Sequence, residues 1–314
     1  MECLLCKSSN LKITERYSKK DLIPLWKGIY PDIADELPLN TIYFYKCTDC
    51  DLKFFDPKLA GGDKFYSELG KLDWYYLHSG KTEYDYVQKY IKEKNKILDI
   101  GAGRGVLFTK INKQVDYTGL ELSTKAVKLA QNAGINVIKE DLILHSQSHK
   151  NSYDIVCLFQ VLEHLTELDE FLKSIYLTLK NRGLFVIAVP DNDGFISYTS
   201  NYTFNLPPHH TILWTESSLK YLAKKYNFNI LEIYKESLQD VHKDVAYTSY
   251  LLSKLKKIFL VKNLLIDNRI IFKILNLSLN IVLRSNYLKS KIYQIVSKKL
   301  KLGQTVIILL QKNE

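Results

Sequence analysis

Several features are missing from this 314-residue sequence, and each absence argues against a class of protein. No run of about eighteen apolar residues occurs, so we expect no membrane-spanning helix. The first residues carry no basic segment followed by an apolar one, which argues against a secretory leader. Only five cysteines are present and four of them form two CxxC pairs, so a disulfide scaffold is not expected either. We therefore expect a cytoplasmic protein.

Acidic residues are nearly absent from one C-terminal segment, residues 251–303. This segment holds ten lysines and two arginines against the single acid Asp267, a net charge of +11, whereas the whole chain carries +10. The basic character therefore belongs to this segment, and the rest of the chain is close to neutral.

The two CxxC pairs predict a metal site. Forty residues separate the pair Cys3 and Cys6 from the pair Cys47 and Cys50. Four thiolates form a closed tetrahedral zinc site with no position open for chemistry, so we predict a structural Zn²⁺ ion. Alternating aromatic and polar residues in TIYFYKCTDCDLKFFDP indicate a hairpin around the second pair. The alternative is four ordinary buried thiols.

A stretch rich in aromatic residues follows the cysteine module. Four of its residues fall on one helical face: Tyr86, Val87, Tyr90 and Ile91. Packing is the simpler interpretation of most of these rings. The alternative is a lid over a ligand, with Tyr75 or Tyr76 as its polar-tipped members.

The chain is organised around residues 96–105, which read KILDIGAGRG. A short apolar strand ends near Asp99. Three glycines at alternate positions follow it: Gly101, Gly103 and Gly105. Without Cβ atoms the backbone can bend sharply and approach a ligand that faces the next helix N-terminus. Val106 stands where a dinucleotide fingerprint has its third glycine, which argues against that ligand. The alternative is a tight turn with no ligand.

The next two strands also end in acids. VDYTGLELS ends at Glu121, which is placed to bind two ribose hydroxyls, and Ser123 is placed to cap the helix that follows. INVIKEDL ends at Asp141, whose carboxylate is placed to accept from an adenine amino group. Together with Asp99, these acids indicate the rim of a ligand site, although a solvated loop acid is the alternative for Asp141 alone.

Two more strands complete the pattern. SYDIVCLFQVLEHL predicts a fourth strand, a helix follows over about 167–179, and NRGLFVIAVP predicts a fifth strand that ends at Pro190. Gln160, Glu163 and His164 follow the fourth strand, at the edge where ligands bind in open parallel sheets. Strands that alternate with helices predict a doubly wound α/β sheet.

The ordered set LDIGAGRG, GLELS, EDL, YDIVCLFQVLEHL, LKNRGLFVIAVP and PPHHTILWTESSLKYLAKKYNF resembles the class I S-adenosylmethionine-dependent methyltransferases over about residues 84–235. With two CxxC pairs in front, the chain resembles the zinc-ribbon-bearing subgroup that includes deoxysugar C-methyltransferases. It departs from that subgroup at Lys7, where a glycine usually follows CxxC. The resemblance implies a seven-stranded, mostly parallel sheet and S-adenosylmethionine as cofactor.

The resemblance also implies one contact for each part of the cofactor. The glycine turn and Asp99 line the methionine end, Glu121 holds the ribose, Asp141 and Leu142 frame the adenine, and Gln160 lies near the methyl group. The full predicted cofactor-binding set is Asp99, Gly101, Ala102, Gly103, Gly105, Glu121, Leu122, Asp141, Leu142, Gln160 and Tyr76.

A histidine pair supplies the candidate base. His209 and His210 lie in NLPPHHTILWTESSL, before a helix that Thr215 is expected to cap. Methyl transfer to a carbon or hydroxyl acceptor leaves a proton to remove, and histidine suits this task because its ordinary pKa is near neutrality. We predict that one of the pair is the base, helped by Glu163 or His164. Which histidine acts stays open, and a structural role is the alternative for each.

The C-terminal part predicts a helical insertion, because GQTVIILLQKN reads as a final edge-paired strand of the same sheet. Five polar residues form a stripe on an otherwise apolar helix: Arg269, Lys273, Asn276, Asn280 and Arg284. The apolar remainder packs on the core or on a second subunit, or binds anionic lipid peripherally at the inner membrane face, or meets RNA.

The predicted organisation is a zinc-ribbon-like module (1–60), an aromatic cap (61–95), a methyltransferase core (96–243), a basic helical insertion (244–303) and a final core strand (304–314). We expect methyl transfer to a small polar acceptor, most simply a sugar nucleotide or a lipid-linked glycan precursor. The alternative is an RNA-modifying or RNA-binding protein. Residues 1–57 carry eight basic and nine acidic residues, so no phosphate-binding stripe supports it and no nucleic-acid partner is expected. A homo-oligomer is compatible with the sequence.

Overall fold

The computed structural model describes residues 1–72 and 80–314. Its strands are β1 (Leu11–Tyr17), β2 (Ile42–Cys47), β3 (Lys53–Asp56), β4 (Lys96–Ile100), β5 (Asp116–Leu120), β6 (Val137–Ile138), β7 (Tyr153–Phe159), β8 (Leu179–Pro190), β9 (Ile212–Leu213), β10 (Phe228–Ser237) and β11 (Leu302–Lys312). Its α-helices are α1 (Lys19–Trp26), α2 (Ile33–Glu36), α3 (Asp63–Leu69), α4 (Thr82–Gln88), α5 (Val106–Lys110), α6 (Thr124–Asn132), α7 (Leu142–Ser148), α8 (Asp169–Thr178), α9 (Glu216–Lys225), α10 (Lys243–Ile258), α11 (Ile270–Leu283) and α12 (Asn286–Ser297).

The central sheet has seven strands in the order β10-β11-β8-β7-β4-β5-β6. Neighbours from β8 to β6 run parallel, whereas β11 is antiparallel to both β8 and β10. The middle strand β7 is buried on both faces, as Ile155, Val156, Cys157 and Leu158 show. Such a strand requires an uninterrupted apolar run, which the sequence provides. The predicted doubly wound α/β fold with a mostly parallel seven-stranded sheet is confirmed.

The N-terminal module shares a second sheet with the core. Its antiparallel strands β1, β2 and β3 continue into β9, where Lys53 pairs with Leu213 and Phe54 with Ile212. β2 and β3 form the predicted hairpin. The buried Trp26 ring fixes the same junction, because its Nε1 donates to the Pro207 carbonyl oxygen at 2.8 Å. The module therefore packs directly on the segment that carries the histidine pair.

The aromatic stretch contributes α4, and this helix packs on the core. Tyr86, Val87 and Ile91 are buried against residues of β4, β5 and β7. The packing interpretation is correct for these residues. Tyr75 and Tyr76, the proposed lid residues, lie outside the described residues.

The C-terminal helices bury narrow faces. Residues of α10 and α12 pack with Phe195 and Ile196 after β8. On α11, Phe272, Leu275 and Leu279 pack against Leu252 of α10. Within residues 1–72 and 80–314, no helix combines the length and the apolar character that crossing a membrane requires.

Two sequence-based strand assignments were wrong. The last strand, β11, lies between β8 and β10, so β10 is the edge and β11 is not. β6 ends at Ile138 and does not extend to Asp141, which caps α7. α8 spans Asp169–Thr178, in agreement with the helix predicted over about 167–179, and Leu179 already belongs to β8. Strand order and strand ends depend on tertiary pairing, which an apolar run does not encode.

Candidate functional site

The glycine turn between β4 and α5 forms one wall of the site. Gly101, Gly103 and Gly105 all have positive φ, at 74°, 56° and 74°. A Cβ on Gly101 would lie 2.4 Å from Val161 Cγ2, and one on Gly105 would lie 2.7 Å from Ile135 Cγ2. A Cβ on Gly103 would meet no atom within 4 Å. Packing therefore excludes a side chain at Gly101 and Gly105, while Gly103 faces open space that a ligand can occupy.

Glu121 lies beside this turn, as predicted. Its two carboxylate oxygens accept from the Gly103 amide at 2.9 Å and from the Ser123 amide at 2.7 Å. Each oxygen has a further lone pair, so the carboxylate can still bind hydroxyl groups. Ser123 also caps α6, as predicted, because its side chain accepts from the Ala126 amide. Leu122 is exposed next to Glu121.

Asp141 has a local partner that the sequence reasoning missed. Its Oδ1 accepts from the Ile143 amide at 2.7 Å and from the Leu144 amide at 3.4 Å, so it is the N-cap of α7. Leu142 is buried beneath it. The predicted contact between this carboxylate and the adenine stays a prediction, and Oδ2 is the oxygen that would make it.

Asp99 is a buried carboxyl at the end of β4. It is 4% exposed, and the Tyr117 hydroxyl donates to its Oδ2 at 2.6 Å. Burial raises the pKa of Asp99 to about 7, and the Tyr117 hydrogen bond offsets only part of that rise. The carboxyl is poised to ionise when a cationic group binds nearby.

Glu83, in the first turn of α4, is a second buried acid, and it was not predicted from the sequence. Gln160, which follows β7 with φ of 57°, donates from Nε2 to Glu83 Oε1 at 3.3 Å. Burial raises the pKa of Glu83. The only sign of Glu83 in the sequence was an acidic residue within an aromatic stretch, and we had interpreted that stretch mainly as packing. The Gln160 side chain is therefore held at the predicted edge of the sheet.

The four predicted catalytic residues do come together. Glu163 and His164 lie in the turn after β7, while His209 and His210 precede β9. The Thr211 amide donates to the Glu163 carbonyl oxygen at 2.9 Å, which joins the two loops. Glu163 Oε1 lies 4.0 Å from Nε2 of both His164 and His210. The two loops thus build one polar cluster at the carboxyl end of β7.

Burial controls ionisation in this cluster. It raises the pKa of Glu163 to about 8 and lowers the pKa of His164 to about 4. It also lowers the pKa values of His209 and His210 well below the ordinary range. The histidines are therefore neutral at physiological pH, and each keeps a lone pair on one ring nitrogen.

The four cysteines of the N-terminal module form a compact thiol cluster. Cys3 Sγ lies 3.5 Å from Cys50 Sγ, Cys6 Sγ lies 3.5 Å from Cys47 Sγ, and all four sulfurs lie within 4.8 Å of one another. Zinc–sulfur bonds of about 2.3 Å place tetrahedral sulfurs about 3.8 Å apart, so this donor set fits a closed zinc site.

The buried Asp99 makes stability depend on pH. Because its folded pKa exceeds its unfolded pKa, the folded state binds the proton more tightly, and wild-type stability falls as pH rises from about 4 to 7. Asp99→Asn removes this contribution. We expect the variant to gain on wild type by up to about 1.4 kcal/mol per pH unit across that window. Urea unfolding at pH 5, 6, 7 and 8 measures it, and a constant difference would contradict the assignment.

Comparison with known proteins gives the class. Residues 79–233, just under half of the chain, match the family model described as a methyltransferase domain. This part of the chain is therefore a methyltransferase domain, and the resemblance to the class I S-adenosylmethionine-dependent methyltransferases is confirmed. The sugar C-methyltransferase subgroup stays a prediction.

Individual relatives align with a smaller part of the chain than the family model does. A ubiquinone biosynthesis O-methyltransferase of Pectobacterium carotovorum is 29% identical over 79 residues, which is 23% of this chain and 33% of that protein. The protein of the same name from Pelagibacter ubique is 27% identical over 152 residues, 44% of this chain and 63% of the relative. The chain thus spans between a third and less than two thirds of these two relatives. A crystal structure of a SAM-dependent methyltransferase from Archaeoglobus fulgidus aligns with a TM-score of 0.47 at 19% identity, over 73% of this chain and 92% of that one.

Proposed function

We propose that this protein transfers a methyl group from S-adenosylmethionine to a small polar acceptor. The observation that carries the proposal is that the glycine turn and the buried cluster around Glu163 lie at the same edge of the parallel sheet. The open space at Gly103 and the free lone pairs of Glu121 fit the cofactor. The buried Asp99 suits its cationic methionine end.

The chain's own residues position the two reactants. S-adenosylmethionine supplies a methyl group on a sulfonium, which leaves as a neutral thioether with the electron pair of the broken C–S bond. The polar cluster of Glu163 and the three neighbouring histidines binds the acceptor. A side chain of this cluster takes up the proton that the acceptor loses as its new bond to the methyl group forms. Holding the two reactants in line supplies most of the acceleration.

The acceptor class is the finer part of the proposal. We propose a hydroxyl of a sugar carried by a nucleotide or a lipid. Relatives named ubiquinone biosynthesis O-methyltransferase support oxygen as the accepting atom. In the test, the purified chain and isotopically labelled cofactor are incubated with nucleotide sugars, lipid-linked sugars and polyprenylated phenols, and product masses are recorded. Methylation of the phenols alone would overturn the sugar assignment.

The cysteine cluster holds a structural Zn²⁺ ion in this proposal. The support is the fit of its four sulfurs to a tetrahedral site. Four protein ligands leave no coordination position for an acceptor, so the ion stabilises the N-terminal module and takes no part in methyl transfer.

We further propose that the C-terminal helices bind the surface of an anionic membrane. Four apolar side chains on one face of α11 are exposed: Ile270, Ile274, Leu277 and Ile281. They lie within the segment of charge +11, so an apolar face and a basic surround occur together. This combination favours lipid headgroups of negative charge over a neutral surface.

Flotation with lipid vesicles tests this surface. We expect the full chain to float with phosphatidylglycerol vesicles and not with phosphatidylcholine vesicles. The double substitution Ile274→Ser and Leu277→Ser is expected to weaken binding at least about tenfold, since two apolar contacts are lost. Leu39→Ser, at a leucine that is 91% exposed in the N-terminal module, is the matched control. A change in oligomeric mass without any flotation would instead make this face a subunit interface.

A further inference from the structure

Three consecutive apolar side chains are exposed at the end of α10: Ile258 is 71% exposed, Phe259 58% and Leu260 94%. Ile258 is the last residue of α10, and the other two begin the loop that leads to α11. Single exposed apolar residues are normal on a protein surface, whereas a contiguous exposed group marks a contact with a partner or a membrane. We call residues 258–260 the apolar tip. It belongs to a different element from the exposed face of α11, which begins at Ile270.

Hydrogen bonds close the base of the apolar tip. The Val261 amide donates to the Lys256 carbonyl oxygen at 2.7 Å. The Lys256 ammonium is buried, donates to Asn263 Oδ1 at 2.9 Å and forms an ion pair with Asp267 Oδ2 at 3.0 Å. Arg269 Nε donates to the other oxygen of Asp267 at 2.8 Å. Residues on both sides of the tip are therefore joined to each other, so a fixed loop presents the three apolar side chains.

Leu260 departs from the usual residue type at a helix end. Its φ is 55°, in the left-handed region, where a side chain crowds the backbone. Helices that end in this conformation usually have glycine or asparagine there. Two other helices of this chain do so at the equivalent position: Gly134 follows α6 with φ of 74°, and Asn227 follows α9 with φ of 59°. An exposed leucine in a strained conformation gains little from packing, so a contact outside the chain explains its side chain.

The charge around the apolar tip indicates which partner fits it. Lys254, Lys257 and Lys262 flank the tip along the chain and are exposed. Asp267, the single acid of residues 251–303, is buried and already paired. Anionic lipid headgroups complement this positive charge, and the acyl chains beneath them accept apolar side chains. A second copy of the loop would instead bring like charges together, which opposes a two-fold contact.

We propose that the apolar tip inserts among the acyl chains of an anionic membrane while the flanking lysines bind the headgroups. The inference rests on the proposed membrane surface and deepens it, because it names a segment that enters the bilayer. Arg269 connects the tip to α11, since its Nη2 donates to the Lys262 carbonyl oxygen and α11 begins at the next residue, Ile270. The tip is thus close to the start of the exposed α11 face, and one membrane contacts both.

Tryptophan fluorescence detects insertion directly. In the Phe259→Trp variant of the full chain, we expect phosphatidylglycerol vesicles to shift the emission of the new ring to shorter wavelength. Lipids brominated on their acyl chains are expected to quench it, and phosphatidylcholine vesicles are expected to cause neither change. Leu39→Trp, at a leucine that is 91% exposed in the N-terminal module, is the matched control and is expected to show no shift and no quenching. Spectra are recorded as differences from wild type, which has three tryptophans of its own.

Leu260→Gly separates membrane binding from folding. Glycine relieves the left-handed strain at this position, so we expect an unchanged or higher melting temperature. The affinity for phosphatidylglycerol vesicles is expected to fall at least about tenfold, because a nearly fully exposed leucine side chain is lost from the lipid contact. A lower melting temperature with unchanged vesicle binding would show a purely structural leucine and would contradict the proposal.

The possible outcomes distinguish the proposals from one another. Flotation of the wild type, without quenching at position 259 and with full binding by Leu260→Gly, would overturn insertion of the tip and leave the α11 surface in place. Failure of the wild type to float would overturn both. Dimerisation that depends on Leu260 and occurs without lipid binding would make the tip a subunit contact instead. Methylation of a water-soluble acceptor is measured in solution without vesicles, so failure of the methyl-transfer proposal leaves these results unchanged.

Discussion

Replacement of Gly103 by alanine is expected to weaken S-adenosylmethionine binding about 100-fold, equivalent to about 2.7 kcal/mol. Of the three glycines in the turn, Gly103 is the one whose added Cβ would point into open space. The new methyl group would occupy the volume that we assign to the cofactor. Isothermal titration calorimetry with the cofactor measures the loss.

A control with the same backbone strain separates binding from stability. Gly134, after α6, also has a positive φ, of 74°, and a Cβ there would meet nothing within 4 Å. Both alanine variants are expected to lose a similar 1–2 kcal/mol, roughly, because the left-handed conformation disfavours a side chain. Only Gly103→Ala is expected to lose cofactor affinity. Equal affinities in the two variants would place the cofactor elsewhere.

Substitution of Cys47 by serine is expected to unfold the N-terminal module. Cys47 ends β2 and is fully buried, with its sulfur 3.5 Å from that of Cys6. In small zinc modules the binding of the ion supplies about 10 kcal/mol or more of the folding free energy. We expect a loss of at least about 3 kcal/mol, loss of one zinc equivalent, and loss of activity because β9 pairs with this module.

Cys157→Ala is the matched control, because Cys157 is equally buried but lies in the middle of β7, away from the cluster. It is expected to lose about 1–2 kcal/mol from imperfect packing and to keep its zinc. Thermal denaturation with and without a chelator measures both variants. If chelation left the melting temperature of the wild type unchanged, the cysteines would be ordinary buried thiols.

The sequence encodes local features of this protein well. The buried strand β7 is a continuous apolar run in the sequence. The three alternate glycines of residues 101–105 predicted a sharp backbone bend, and all three have positive φ angles. Ser123 and Thr215 cap the helices that follow them. Each of these features depends on residues that are close along the chain, so a short window of sequence is sufficient to predict it.

Features that depend on distant residues were missed or misplaced. Asp141 was assigned to a ligand, but the amides of α7 already occupy one of its oxygens. Glu83 is buried only because α4 packs on the core, and its contact Gln160 is 77 residues away. The interior position of β11 results from strand order in the finished sheet. Glu163 and His210 were assigned to one site from their residue types alone. They lie close together because the hydrogen bond from the Thr211 amide to the Glu163 carbonyl oxygen joins their two loops.

The pairing of β3 with β9 has a consequence for the order of folding. The N-terminal module cannot complete its sheet until residues 212–213 have been synthesised, and the Trp26 bond to Pro207 spans 181 residues. Contacts between such distant residues cost loop-closure entropy and slow folding. On the ribosome, the hairpin around the cysteines therefore waits with an unpaired edge while most of the core is made.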